Sequence, residues 1–245
     1  MQDAITIVTS AMQGDIADAN RISTNVANLG TVGYRRTVAG AGATASHASS
    51  VGRSFERSLN AAANIAPADQ SDMVDQRTGA MISTSHALDL AVGGTGYFEV
   101  MTAHGPAYTR AGNFHVDAQG RLADSTGNPV QGVDGDITLS SNAVKIDLAG
   151  HVTDNGRAAG QVKLVSAAGS SAVDPIGGGL YSISSVGAAP AASHVLQGYL
   201  ENSNVDPMNE MTSLMVTMRH FESMQKAALA DDEMMQSAIQ KIGDV

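Results

Sequence analysis

Apolar residues at heptad spacing near both ends of the chain constrain its fold more than any other sequence feature. At the N-terminal end, every heptad position between Ile5 and Leu29 is apolar except Asp15. These positions are Ile5, Val8, Met12, Asp15, Ala19, Ile22, Val26 and Leu29. Alternating steps of three and four residues place them on one face of an α-helix. The sequence therefore predicts an amphipathic N-terminal helix that needs a partner for that face.

The C-terminal region has the same periodicity. Asp206 followed by Pro207 predicts a helix with an aspartate N-cap and proline in the first helical position. The heptad positions that follow are Met211, Leu214, Met218, Phe221, Gln225, Ala228, Asp232, Met235, Ile239 and Ile242. Further apolar residues flank them: Met215, Met224, Leu229 and Met234. So wide an apolar face predicts more than one neighbour. We expect the terminal helices to pair and to order fully only on assembly, because each is marginal alone in water.

The region between the helices has a different character. Residues 37–75 are rich in Ala, Ser, Gly and Asn, which predicts a linker or extended arm. From about residue 76, short strand-like stretches alternate with Gly, Asn, Asp and Pro: YFEVM, AYTR, NFHV, RLAD, ITL, VKIDL, VKLVS and LYSIS. Turns around residues 118–120 and 125–128, each with a glycine available, predict a meander.

These elements predict an α+β fold class, with N- and C-terminal helices pairing as a coiled-coil-like helical domain and a small central all-β domain. The predicted domains are residues 1–36 for the N-terminal helix and joint, 37–75 for the arm, 76–195 for the β domain and 196–245 for the C-terminal helix. In the joint, Asn28 or Gly30 is expected to take the left-handed conformation that ends a helix, Gly33 to turn the chain, and Tyr34 to enter an interface.

Composition and motifs argue against several classes of function. The net charge of −10, without a basic face, argues against binding nucleic acid or an anionic membrane surface. No apolar run is long enough for membrane insertion or for the core of a secretory signal, which predicts a cytoplasmic protein or export without a cleaved signal peptide. The histidines are scattered, cysteine is absent, and VGGTGYF lacks the Lys-Ser/Thr of a phosphate-binding loop. We expect no metal, no cofactor and no catalytic site.

Three segments resemble the flagellar basal-body rod and hook proteins. ISTNVANLGTVGYRR is similar to the N-terminal signature of that family. ALDLAVGGTGYFEV followed by YTRAGNFHVDAQGRLADSTGNPVQG resembles the start of its β domain, and GYLENSNVDPMNEMTSLMVTMRHFESMQKAALADDEMM resembles its C-terminal helix. Two positions depart from the signature, with Tyr34 where Phe is usual and Val26 where a second Asn is common.

The resemblance implies a non-enzymatic structural subunit of the flagellar basal-body rod. Such a subunit would pass through the type III export machinery, cross the periplasm as part of the rod, and assemble helically with copies of itself and other rod subunits to transmit torque. The segments MRHFESMQK and SNVDP favour the proximal rod subunit of the FlgF type over the distal rod subunit. A secreted β-domain binding module or cell-wall hydrolase is the alternative from another class of function.

The resemblance and the heptads together predict a subunit interface in the terminal helices and the joint. The expected interface residues are Ile5, Val8, Met12, Ile22, Asn25, Val26, Asn28, Leu29, Gly33, Tyr34, Met211, Leu214, Met215, Met218, Phe221, Met235, Ile239 and Ile242.

Overall fold

The chain contains a helical unit and a β unit. The computed structural model describes residues 2–40, 72–140, 144–168, 173–188, 190 and 193–243, with only the backbone at 2–5, 232, 235 and 237–243. The helical unit holds the N- and C-terminal helices, and the β unit holds Asn28–Val38 and Asp72–Val205. Most of the predicted arm, residues 41–71, lies outside the described residues.

The two long helices begin and end at identifiable signals. Helix α1 spans Gln2–Ala27 and helix α2 spans Pro207–Gly243. The Oδ1 atom of Asp206 accepts hydrogen bonds from the backbone N–H groups of Met208 at 3.0 Å and Asn209 at 3.4 Å. These contacts confirm the predicted N-cap, since they satisfy N–H groups that have no partner within the helix.

The end of α1 differs from the prediction. Neither Asn28 nor Gly30 has a positive φ, so the predicted left-handed cap is wrong. Instead, Asn28 accepts two hydrogen bonds from Thr31, one from the N–H group to its carbonyl at 3.2 Å and one from the hydroxyl to its side chain at 3.0 Å. Gly33 turns the chain with a φ of 67°, as predicted. Helix α1 ends at Ala27, so Leu29 lies beyond it even though the apolar spacing continues to that residue.

Nineteen short strands lie in the described chain between the helices. In chain order they are β1 (Thr37–Ala39), β2 (Asp72–Val74), β3 (Met81–Ser83), β4 (Leu90–Gly93), β5 (Tyr97–Thr102), β6 (Gly105–Thr109), β7 (His115–Val116), β8 (Leu122–Ala123), β9 (Gln131–Gly132), β10 (Gly135–Asp136), β11 (Val144–Ile146), β12 (His151–Asp154), β13 (Arg157–Gln161), β14 (Leu164–Ala167), β15 (Val173–Gly177), β16 (Leu180–Ile183), β17 (Val186–Ala188), β18 (His194–Gln197) and β19 (Tyr199–Glu201).

The largest sheet has six strands in the order β15-β16-β6-β5-β14-β17. A three-stranded sheet has the order β11-β12-β13, and the remaining strands form the pairs β1-β2, β10-β9, β18-β4, β19-β3 and β7-β8. The turn between β7 and β8 contains Gly120, and the next turn contains Gly127, both with positive φ. These are the two turns that the sequence predicts.

Alternation along β5 separates two apolar clusters of the β unit. Phe98 and Val100 face a cluster that includes Leu90, Val92 and Phe114, and the Phe98 and Phe114 rings meet edge to face at 5.1 Å. Tyr97 points to the opposite face of the strand, where it joins Tyr108 and Tyr181. Aliphatic side chains make up most of both clusters.

The predicted fold class is wrong, because the β region is a large unit of many strands and not a small central domain. Strands predominate over the two helices in the described chain. Some of them, such as RAAGQ in β13 and VGA in β17, consist largely of Gly and Ala. Such strands show little apolar alternation, so the helices gave the stronger sequence signal.

We expect Gly33→Ala to destabilise the β unit by roughly 2–4 kcal/mol. A Cβ atom there would overlap the backbone of Arg110 and Ala111, and the positive φ would add strain. Urea unfolding followed by tyrosine fluorescence measures the loss, since the chain has no tryptophan and Tyr97 and Tyr181 are buried. Gly30→Ala is the matched control, because nothing lies within 4 Å of its added Cβ. Equal effects at both positions would contradict the prediction.

Candidate assembly interface

Helices α1 and α2 contact each other through two polar pairs. Nδ2 of Asn25 donates to Oε2 of Glu210 at 3.3 Å, and Nδ1 of His220 lies 2.7 Å from Oδ2 of Asp15. Moving from the first pair to the second, the residue number falls on α1 and rises on α2. The two helices are therefore antiparallel.

The Asn25–Glu210 contact lies in the interior of the helix pair. Asn25 is 1% exposed and Glu210 is fully buried. Removing a carboxylate from water is costly unless hydrogen bonds compensate, so this contact favours the arrangement that keeps the two side chains together.

The Asp15–His220 contact is the more open of the two pairs. The Asp15 side chain is 11% exposed and the His220 side chain 48% exposed. Both oxygens of Asp15 lie within 2.9 Å of Nδ1 of His220, which is the only hydrogen-bonding partner of that carboxylate among the described residues. Asp15 interrupts the apolar heptad of α1, and this contact explains its presence there.

Few apolar side chains are buried in the helical unit. Among its described side chains, Ile22 is the only hydrophobic residue in the buried class, whereas Asp15, Asn25, Glu210 and Thr217 are all buried. The remaining buried hydrophobic residues belong to the β unit. The helix pair consequently has little hydrophobic stabilisation of its own.

Helix α2 has an inner face towards α1 and a separate apolar stripe. The inner face consists of positions in line with Glu210, which are buried or half-buried: Glu210, Leu214, Thr217, Phe221 and Met224. The methionine stripe consists of Met208, Met211, Met215 and Met218, which are 73%, 49%, 60% and 51% exposed. At about 100° per residue, the stripe lies roughly a third of a turn around the helix from the inner face. The single wide heptad seen in the sequence therefore contains two seams.

The predicted interface residues fall into four groups in the structure. Ile22, Asn25, Gly33 and Tyr34 are buried, and Val8, Met12, Val26, Asn28, Leu29, Leu214 and Phe221 are half-buried. Met211, Met215 and Met218 are exposed. The side chains of Ile5, Met235, Ile239 and Ile242 lie outside the description. The four predicted residues of the joint, from Asn28 to Tyr34, belong to the β unit.

A buried ionic cluster connects the segments of the β unit that follow α1 and precede α2 in the chain. The carboxylate of Glu201 lies 3.4 Å from Nη2 of Arg35 and 3.1 Å from Nη1 of Arg110. It also accepts a hydrogen bond from the Gly79 N–H group at 3.0 Å. All three charged side chains are at most 2% exposed. The cluster holds two positive charges against one negative charge.

Backbone carbonyls and an aromatic ring compensate the second arginine. Arg110 donates to the carbonyls of Val92 at 2.9 Å and Gly94 at 2.7 Å. Both guanidinium groups lie over the Tyr97 ring, 5.7 Å and 5.4 Å from its centre, where a cation is favoured. Burial, together with the charge of Arg35, lowers the pKa of Arg110 to about 10. Its guanidinium therefore stays protonated at neutral pH.

Hydrogen bonds along the backbone join the same two segments. The Gly33 N–H group donates to the Glu201 carbonyl at 2.7 Å, and the Asn204 N–H group donates to the Tyr34 carbonyl at 3.3 Å. Oδ1 of Asn204 accepts from the Arg36 N–H group at 2.6 Å. Residues near positions 33–36 and 201–204 thus form one hydrogen-bonded region of the β unit.

Sequence reasoning missed most of these polar residues. Arg35 and Arg110 are far in sequence from Glu201 and Asn204, and no local pattern predicts their contacts. The available signals were a charge at a heptad position of α1, at Asp15, and a carboxylate at Glu201 immediately after the strand-like YL pair.

The described residues show no metal-binding cluster, since no group of three or more His, Asp or Glu side chains is positioned to hold an ion. Within the same described part of the chain, neither helix is apolar enough over a sufficient length to cross a membrane.

Two protein-family models match this chain. Residues 91–154 match the flagellar hook protein FlgE/F/G D1 domain, and residues 196–241 match the flagellar basal body rod FlgEFG protein C-terminal region. The flagellar basal-body rod protein FlgG of Bacillus subtilis is 31% identical over 89% of this chain and 90% of its own length.

This chain belongs to the flagellar basal-body rod protein family.

The rod subunit also resembles two proteins of Caulobacter vibrioides. FlgG from that bacterium is 30% identical over 97% of the chain and 98% of its own length. FlgF is 32% identical over 68% of the chain and 70% of its own length. The similar identities do not separate the FlgF type from the FlgG type.

Family membership makes the chain a structural component of the flagellar basal body that assembles with other rod subunits, and not an enzyme. The C-terminal family match covers Glu201, both polar residues of α2 and the methionine stripe, while the D1 match covers Arg110. Glu201 and Arg110 of the buried ionic cluster, and the exposed methionine stripe, therefore lie in regions that the family models match.

We expect Glu201→Gln to destabilise the β unit by about 3–5 kcal/mol, because it leaves two buried arginines without a carboxylate. Urea unfolding of the purified subunit measures the change. Arg77→Gln is the control, since it breaks an ion pair with Asp75 in which the Arg77 side chain is 77% exposed, and its effect should be hard to detect. A Glu201 variant as stable as this control would show that the Glu201 carboxylate does not stabilise the β unit.

Proposed function

We propose that the rod subunit is incorporated into the rod by docking the methionine stripe of α2 on helices of neighbouring rod subunits. The observation that carries this proposal is the heptad spacing of four large apolar side chains that are each about half or more exposed in the single chain. Contiguous exposed apolar surface of this kind is typical of protein–protein interfaces. The interface predicted from the sequence at Met211, Met215 and Met218 is part of it.

The energetics of the helical unit support docking. Covering four methionines that are already partly shielded would contribute on the order of 4–6 kcal/mol. The helix pair buries Ile22 and otherwise mainly polar side chains, so lateral contacts would supply the hydrophobic stabilisation that it lacks alone. Methionine also adapts to neighbours of different shape, which suits contacts with copies of the chain and with other rod subunits.

Within the rod, the proposed position is proximal, as in the FlgF type. The MRHFESMQK segment of α2 and the SNVDP segment before it support this position. The distal position is the second candidate, and the FlgG match over 89% of the chain favours it. The proposal includes delivery by the flagellar export machinery and a location in the part of the rod that crosses the periplasm. It includes no nucleic acid and no membrane insertion.

We expect Met218→Glu to reduce the amount of subunit in isolated basal bodies at least tenfold, because docking would bury a charge. Quantitative immunoblotting of basal bodies, together with swimming in soft agar, measures this in a strain whose own copy is deleted. Met73→Glu is a matched control, since Met73 is a β-unit methionine that is 52% exposed, compared with 51% for Met218. Normal incorporation of the Met218 variant, at wild-type cellular levels, would overturn the docking proposal.

We expect an epitope placed on the β unit to be located at the cell-proximal part of the rod. Gold labelling of isolated basal bodies, measured by electron microscopy as distance along the axis, distinguishes the two positions. Labels clustered near the hook end would replace the proximal assignment with the distal one and leave the docking proposal intact.

A further inference from the structure

We infer that the Asn25–Glu210 and Asp15–His220 pairs determine the register in which α1 and α2 pair. This inference goes beyond the proposed function and rests on it only for the consequence at the methionine stripe. It assigns to four polar side chains a role in choosing one alignment among several that the apolar pattern permits.

The two contacts have the same register. Asp15 lies ten residues before Asn25 on α1, and His220 lies ten residues after Glu210 on α2. In an antiparallel pair, equal spacing on both helices means that a single alignment satisfies both contacts. Two independent contacts that agree in this way specify an alignment more strongly than either alone.

The apolar residues specify the alignment poorly. Ile22 is the only hydrophobic side chain in the buried class among those described in the helical unit. The heptad pattern repeats every seven residues, so a shift by one heptad keeps apolar positions facing apolar positions. Polar residues at such seams are a known means of selecting one alignment, because the wrong alignments leave them without partners.

Each one-heptad shift separates both pairs. In one direction, Asp15 would face Ala227 and His220 would face Ile22. In the other direction, Glu210 would face Asp18, which places two carboxylates together, and His220 would face Val8. Neither shifted alignment offers the buried Glu210 carboxylate the Asn25 amide.

The register also positions the methionine stripe. A shift by one heptad moves α2 along α1 by about 10 Å without turning it. The stripe would then lie at a different height from the surface of α1 beside it. A neighbouring subunit that docks on both helices could recognise only one of these arrangements.

Cysteine cross-linking tests the register directly, because the chain contains no cysteine and every disulfide must come from the introduced pair. Ala11 and Met224 lie one turn beyond Asp15 and His220 on their respective helices, so Ala11→Cys with Met224→Cys reports the expected alignment. Ala11→Cys with Thr217→Cys and Ala11→Cys with Asp231→Cys report the two shifted alignments. The full-length purified chain is oxidised at low concentration, and the intramolecular product is quantified by mobility and mass.

We expect the in-register pair to oxidise about tenfold faster than either shifted pair. Replacing all four polar residues by leucine should reduce this preference to less than about twofold, with helix content unchanged by circular dichroism. Exchanging the partners, with Asp15→His, His220→Asp, Asn25→Glu and Glu210→Asn, should restore it. A tenfold preference that survives in the leucine variant would overturn the inference, as would a parent chain without preference both in solution and in isolated basal bodies.

These outcomes are separate from those of the docking proposal. A chain that keeps its register preference but is absent from basal bodies would contradict docking and support the register assignment. A chain that is incorporated into basal bodies and supports motility, but whose register preference does not depend on the polar pairs, would support docking and contradict the register assignment.

Discussion

The carboxylate of Glu201, buried between two arginines, is the interaction on which the β unit depends at its junctions with the helices. It belongs to the segment that leads into α2, and Arg35 belongs to the segment that follows α1. Arg110 joins them from the end of β6. One carboxylate cannot neutralise two guanidinium groups, and Tyr97 and the carbonyls of Val92 and Gly94 provide further stabilising contacts. Because burial makes every unpaired charge costly, the arrangement tolerates little change in any of its parts.

The helical unit differs from the β unit, because it has no large apolar cluster among its described side chains and the side chains that it buries are mainly polar. Its interior contains carboxylates, an amide and a threonine, while large methionines lie on its surface. A helix pair that is stable by itself in water would instead bury the apolar side chains and expose the polar ones. This distribution supports the proposal that neighbouring subunits of the rod complete the hydrophobic contacts of the helix pair. Under the two proposals, the buried polar side chains specify how α1 and α2 align, and the exposed methionines mediate association between subunits.

The sequence predicts those parts of the fold whose signals are local. The start of α2 follows from Asp206 and Pro207, and the turns at Gly120 and Gly127 follow from their composition, because caps and tight turns depend on a few adjacent residues. The size of the β unit could not be predicted in this way, since strands such as β13 and β17 have little propensity and are stabilised by distant partners. The predicted left-handed residue at the end of α1 is wrong, because hydrogen bonds from Thr31 to Asn28 form there instead. The Glu201 cluster depends on residues more than 160 positions apart, 201 against 35, and no periodicity reports such contacts.

The exposed methionines have a chemical consequence for the life of the subunit. Thioether sulfurs in contact with solvent are open to oxidants, and the sulfoxide product is polar and bulkier than the parent side chain. Before incorporation, Met208 and Met215 present most of their surface to water. An oxidised subunit would keep its β unit intact while losing the apolar character of the stripe that we propose docks on neighbouring subunits. Assembly would shield the same sulfurs, so damage acquired in transit would matter far more than damage encountered afterwards.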